Sequence, residues 1–169
     1  MKLLDPDEVA ASVHQVDYKA LARSGRRALL FDLENTLCLY RTWSLDERTW
    51  NLLRGLAADG FKLGVVSNAA PPEESALVQA LRQLGVVTVW KARKPLRSGF
   101  NRALALLEAK PAEAVMVGDQ VLTDVWGGRR AGLYTVLVDP LGRQESRWTR
   151  VNRLVERLLG RRQADSPRP

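Results

Sequence analysis

The chain has 169 residues, 46% hydrophobic and 27% charged, which is the makeup of one globular domain long enough to bury a core without disulfide or metal staples. A single cysteine, Cys38, excludes a disulfide framework and any CxxC motif, and no apolar run reaches the ~20 residues of a membrane-spanning helix. The formal net charge of +7 is uneven: residues 141–169 carry +5, eight arginines against Glu145, Glu156 and Asp165, and residues 1–140 carry +2.

Residues 1–27 read as a helical lead-in. Their opening turns acidic at Asp5, Asp7 and Glu8 before any apolar stretch develops, so no secretory signal is expected and the expected location is cytoplasmic. From residue 28 short apolar, β-branched runs alternate with longer amphipathic stretches. Strands are predicted over 28–33, 61–66, 86–90, 114–117 and 133–138, and helices over 45–58, 73–84, 96–109 and 121–131. Strands that alternate with helices in this way predict an α/β fold: a doubly wound, Rossmann-like parallel sheet of five core strands. A further amphipathic helix is expected over about 147–159, with Trp148, Val151, Val155 and Leu158 on one stripe and Arg150, Arg153, Arg157 and Arg161 on another. One domain is thus expected over 1–160, followed by a disordered tail over 161–169. The arginine stripe suits either water or an anionic membrane, which would place the protein peripherally at a membrane's inner face.

In doubly wound folds the chemistry lies beyond the C-terminal ends of the strands. The first predicted strand runs into Asp32-Leu33-Glu34-Asn35-Thr36, the second into Ser67-Asn68, the third into Lys91-Ala92-Arg93-Lys94-Pro95, and the fourth into Gly118-Asp119 with Asp124 five residues later. Carboxylates, a hydroxyl and a lysine converging on one rim suit phosphoryl transfer. An aspartate can take up a phosphoryl group that water later removes. Its charge repels a phosphate, which calls for a divalent cation between them, and Mg²⁺ favours a few carboxylates with water and substrate oxygens. Ser67 can bind a phosphate oxygen, and Lys94 can offset the charge of the dianion.

The order Asp32-x-Glu34-x-Thr36, Ser67, Lys94, Gly118-Asp119-x-x-x-x-Asp124 resembles the four motifs of the haloacid dehalogenase superfamily of phosphohydrolases. The wider phrasing around Lys91–Pro95, Phe100–Ala103, Gly118–Gln120, Thr123–Val125 and Arg150-x-Asn152-Arg153 resembles its subfamily IIIA and the YqeG-type branch, relatives of mitochondrial phosphatidylglycerophosphate phosphatases. The resemblance implies Asp32 as nucleophile and metal ligand, and position 34 as acid/base and backbone-carbonyl ligand. It implies Asp119 and Asp124 as metal ligands, Ser67, Lys94 and the Asn68 backbone as phosphate binders, and Thr36 as a shaper of the turn. The cofactor implied is Mg²⁺, and the substrate a phosphomonoester, with phosphatidylglycerophosphate foremost and small phosphorylated metabolites as the alternative. The family places aspartate where this chain has Glu34, one methylene longer. That leaves two readings open, a working phosphatase and a catalytically impaired protein that binds RNA or another protein. No aromatic RNA-reading motif favours nucleic acid.

The intervals from Asp32 to Ser67 and from Ser67 to Lys94, 35 and 27 residues, are filled by predicted elements and leave no room for a cap domain. The open rim admits a lipid headgroup or a protein-borne phosphate; a second copy closing over a small metabolite is the alternative. Cys38 and His14 read as packing or surface residues, and Gly127-Gly128 as room for close helix–sheet approach. Trp43 and Trp126 follow active-site strands closely enough to touch a substrate.

Overall fold

The computed structural model describes residues 4–142. The centre of the sheet is built from runs with no polar side chain to spare. Strand β2, Ala28–Phe31, is buried throughout, as are Ala114–Gly118 of β5. Alternation splits β2 between two cores. Leu29 and Phe31 face α1 (Tyr18–Arg23), α2 (Glu47–Ala58) and α3 (Ala76–Gln83), packing with Leu21, Leu53, Leu56, Leu77 and Leu81. Ala28 and Leu30 face α4 (Arg97–Leu106), packing with Phe100, Ala103, Leu104 and Met116.

The sheet has six strands, all parallel, in the order β1-β6-β5-β2-β3-β4, where β1 is Glu8–Ala10, β3 is Lys62–Val66, β4 is Val87–Val89 and β6 is Tyr134–Val138. From β2 the chain winds one way to β3 and β4, and then returns to β5 on the other side. The strand order therefore reverses between β2 and β5, where an open α/β sheet forms its binding crevice. One helix, α2, fills the interval between β2 and β3, and no cap domain is inserted among the described residues.

Three expectations need correction. The lead-in is not wholly helical, and the strands number six rather than five, because Glu8–Ala10 pairs with Val136–Val138 at the sheet edge. Three residues carry too little hydropathy pattern to announce a strand. This one is held from outside: Asp7 accepts hydrogen bonds from the Thr135 amide (2.9 Å) and hydroxyl (3.0 Å), and from Arg129 (3.0 Å). The helix expected over 121–131 is a π-helical segment, Val121–Trp126, followed by a short helix, α5, at Gly127–Arg130. Its glycines do allow close approach. A Cβ on Gly127 would lie 2.9 Å from the Phe100 ring, and one on Gly128 would lie 3.0 Å from Thr135. The expected C-terminal helix, tail and arginine stripe lie outside the described residues. Among the described residues no helix is long and apolar enough to cross a membrane.

Candidate active site

Parallel strands deliver their following residues to one rim. Asp32 leaves β2, its amide donating to the Val117 carbonyl of β5 at 2.9 Å, and Asp119 leaves β5 directly beside it. The π-helical segment then turns Asp124 back over Gly118. A Cβ on Gly118 would come within 2.3 Å of an Asp124 carboxylate oxygen, so glycine is the residue that admits this fold-back. The Gln120 amide fixes that carboxylate from the other side by donating to Oδ2 at 3.1 Å. Carboxylate oxygens of Asp32, Asp119 and Asp124 all lie within 4.8 Å of one another.

Lys94 enters this group from the loop after β4. Its ammonium donates to Asp32 Oδ1 at 2.7 Å and to Asp124 Oδ1 at 2.6 Å, with all three side chains buried. Asn68 holds the lysine's backbone in a two-point clamp: the Lys94 amide donates to Asn68 Oδ1 at 2.7 Å, and Asn68 Nδ2 donates to the Lys94 carbonyl at 3.0 Å. Lys91 and Arg93 in the same loop sit in the left-handed region, at φ 49° and 58°. That conformation is costly for such residues and clusters at sites where the surroundings enforce it.

Three carboxylates meet one ammonium, and their proton affinities reflect the imbalance. Burial pushes the Asp32 carboxyl up to about 6, against the pull of Lys94. Burial, reinforced by the Asp32 and Asp124 charges, holds Asp119 well above the ordinary carboxylate range. Burial alone would make Lys94 a weaker base, but Asp124 and Asp32 outweigh it and raise its affinity for the proton. Asp119 Oδ2 is buried and has no hydrogen-bond partner among the described residues. Ionising that oxygen would be costly unless something positive met it.

The remaining predicted residues are placed less centrally. Glu34 stands on the rim with its Oε1 accepting the Arg41 amide at 3.1 Å, outside the three-carboxylate group; burial raises its pKa, with that hydrogen bond opposing. Ser67 is buried at the end of β3, and its hydroxyl accepts the Ala69 amide at 3.1 Å. Two roles were not read from the sequence. The Thr36 hydroxyl donates to Asp119 Oδ1 at 3.1 Å, tying the loop after β2 to the end of β5, and the Asn68 side chain, not only its backbone, positions Lys94. The spacing of Thr36 from Asp32 was the available signal for the first; nothing local marked the second. Cys38 is buried, and His14 lies 3.4 Å from the Thr49 hydroxyl. Trp43 packs against the larger core, and Trp126 lies under the Arg130 guanidinium at 4.9 Å. A cavity of about 550 Å³ lies apart from the carboxylates, between α2 and α3.

A Rossmann-like sheet with an acidic cluster and a lysine at its switch point defines a hydrolase of the phosphoryl-transfer class. The chain belongs to the haloacid dehalogenase-like hydrolases, whose family model matches residues 16–132, and is a phosphatase-type enzyme within them. It is 34% identical to the probable phosphatase YqeG of Bacillus subtilis, over 94% of this chain and 90% of that protein. It is also 34% identical to the chloroplastic phosphatidylglycerophosphate phosphatase 1 of Chlamydomonas reinhardtii, over 80% of this chain; the match spans about half, 53%, of the algal protein. A crystal structure of an uncharacterized protein from Corynebacterium glutamicum shares the fold, with a TM-score of 0.55 at 24% identity, covering 83% of this chain and all of that one.

Proposed function

We propose that the protein is a Mg²⁺-dependent phosphomonoester hydrolase working through an aspartyl-phosphate on Asp32, with phosphatidylglycerophosphate as its substrate. What carries the reading is the unbalanced cluster, two buried carboxylates and one half-buried one around one ammonium, with one Asp119 oxygen unpartnered among the described residues. That donor set, all hard oxygen and in excess negative charge, fits a Mg²⁺ ion. Asp32, Asp119 and Asp124 would hold it, together with the Glu34 backbone carbonyl. When bound, the ion would offset the charge of carboxylates and phosphate together.

In the proposed reaction the Asp32 carboxylate attacks phosphorus, the bond from phosphorus to the ester oxygen breaks, and the departing alkoxide takes a proton from Glu34. Glu34 then accepts a proton from water, which displaces phosphate from Asp32 and restores the carboxylate. Ser67, Lys94 and the Asn68 amide hold the phosphoryl oxygens, and Thr36 steadies Asp119. The Arg41 amide on Glu34 supports a working acid/base over an impaired site, since it gives the longer side chain a fixed place. The similarity to the algal enzyme supports a lipid phosphate as substrate, as does the uncapped rim. Contact with an anionic membrane follows as part of the same proposal; a homo-oligomer would be compatible with it.

The test is Mg²⁺-dependent phosphate release across phosphatidylglycerophosphate, sugar phosphates and phosphopeptides. The lipid should be turned over best, and Asp32→Asn should lower turnover by at least about a thousandfold while the fold persists. Mg²⁺ should also raise the unfolding temperature of the wild type and not of Asp119→Asn, a readout independent of turnover. Asp32→Asn activity within tenfold of wild type would overturn the mechanism, and preference for a sugar phosphate would overturn the substrate.

A further inference from the structure

Five large apolar side chains are exposed among the described residues, and three of them lie in segments that follow the C-terminal ends of strands, at the end of the sheet that carries the carboxylate cluster. Leu39, 50% exposed, lies in the loop after β2; Leu96, also 50%, at the head of α4; and Leu141, 43%, after β6. They are not on a frayed strand. The Leu141 amide donates to the Asn35 carbonyl at 2.8 Å, so the chain after β6 is anchored across the loop that carries Glu34. Leu96 is the N-cap residue of α4, a position where polar side chains serve better, and it makes no capping bond there.

Cations accompany these leucines. Lys91 and Arg93, on the loop that also carries the buried Lys94, and Arg97, the first residue of α4, are all exposed within seven residues, and their side chains take no hydrogen bond or ion pair among the described residues. Arg41, exposed, adds a fourth beside Glu34. The rim also bears acids, Glu73 and Glu74 after β3 and Asp139 after β6. The two acidic residues before α3 lead to the face that α3 covers, whereas the cationic loop leads to the opposite face, under α4. The positive crest is therefore local to one side of the site.

We propose that this rim, Leu39, Leu96 and Leu141 with Lys91, Arg93 and Arg97, docks on the surface of an anionic lipid bilayer and brings the carboxylate cluster to headgroup level. On such a surface the exposed leucines would enter the acyl boundary, while the cations, without ion-pair partners among the described residues, would meet the phosphates. The site is uncapped on the same side, so a headgroup need not leave the bilayer to reach Asp32. The inference rests on the lipid-phosphate reading for its purpose, but docking itself is measurable without substrate or turnover.

The experiment is cosedimentation of the full chain with vesicles of phosphatidylcholine containing 30% phosphatidylglycerol, and with pure phosphatidylcholine, neither holding a phosphomonoester. Wild type should bind the anionic vesicles, and binding should fall steeply as salt is raised. Lys91→Gln with Arg93→Gln and Arg97→Gln should weaken it about a hundredfold, at roughly fivefold per cation. Leu39→Ser with Leu96→Ser and Leu141→Ser should weaken it about tenfold. Unchanged unfolding temperatures would show that both variants fold, and a serine at the head of α4 favours that helix. Absence of wild-type binding, or rim variants that bind as wild type, would overturn the proposal. So would loss of binding only when Arg150, Arg153, Arg157 and Arg161 are changed to glutamine. A wild-type dimer in sedimentation that the leucine variant abolishes would give the rim to a second copy and overturn it equally. Docking without lipid-phosphate turnover would overturn the substrate and leave the surface standing.

Discussion

Two polar clusters lie at different places in the same sheet and are built on opposite principles. At the edge, Asp7 meets Arg129 at 3.0 Å and takes both the amide and hydroxyl of Thr135, so one acid faces one base and both carboxylate oxygens have partners. At the switch point between β2 and β5, Asp32 and Asp124 share Lys94 while Asp119 stands beside them, and an Asp119 oxygen has no hydrogen-bond partner among the described residues. The first cluster is complete in the folded chain and holds a three-residue strand in place. The second holds more carboxylates than ammonium groups, an excess that the proposed Mg²⁺ would offset, and such a site comes at a cost in stability. An ion pair on the sheet is thus in itself no mark of function; charge imbalance is.

The comparison breaks most sharply at Lys94. Lys94→Met should lower turnover at least about a hundredfold, because it removes the charge facing the phosphate oxygens. Steady-state kinetics at saturating Mg²⁺ reads this, and a loss under fivefold would make Lys94 a merely structural ion-pair partner. The matching change at the edge should act on stability alone. Asp7→Ala removes three accepted hydrogen bonds and should cost about 2 kcal/mol, a fall of roughly 4–8 °C in unfolding temperature, with turnover within twofold of wild type. A tenfold loss of turnover there would end the distinction between the clusters.

A smaller effect sharpens the picture at Glu34. Its carboxylate reaches the Arg41 amide through one methylene more than aspartate has, so Glu34→Asp should lose that hydrogen bond and lower turnover about tenfold. A rate increase would instead mean that the glutamate is an ill-fitting acid/base.

Much of this was legible in the sequence. Runs such as Ala28–Phe31 announce buried strands, and each motif falls at a strand end because parallel topology puts it there. β1 was not legible: its three residues owe their place to Asp7, Thr135 and Arg129, partners more than 120 residues apart in the chain. Asp124 was legible as a carboxylate, but not as one folded over Gly118 by a π-helical turn. Thr36 and Asn68 were read by their local positions, whereas their hydrogen bonds reach Asp119 and Lys94, on other strands' loops. Local pattern encodes elements; reciprocal long-range contacts complete the site.

The most direct test of the central claim is to trap the phosphoryl group. Wild-type protein mixed with Mg²⁺ and a phosphomonoester, acid-quenched within milliseconds and mapped by peptide mass, should carry the phosphoryl group on Asp32. The label should be absent without Mg²⁺. Rapid phosphate release with Asp32 unmodified at every quench time, alongside Asp32→Asn turning over within tenfold of wild type, would contradict the account.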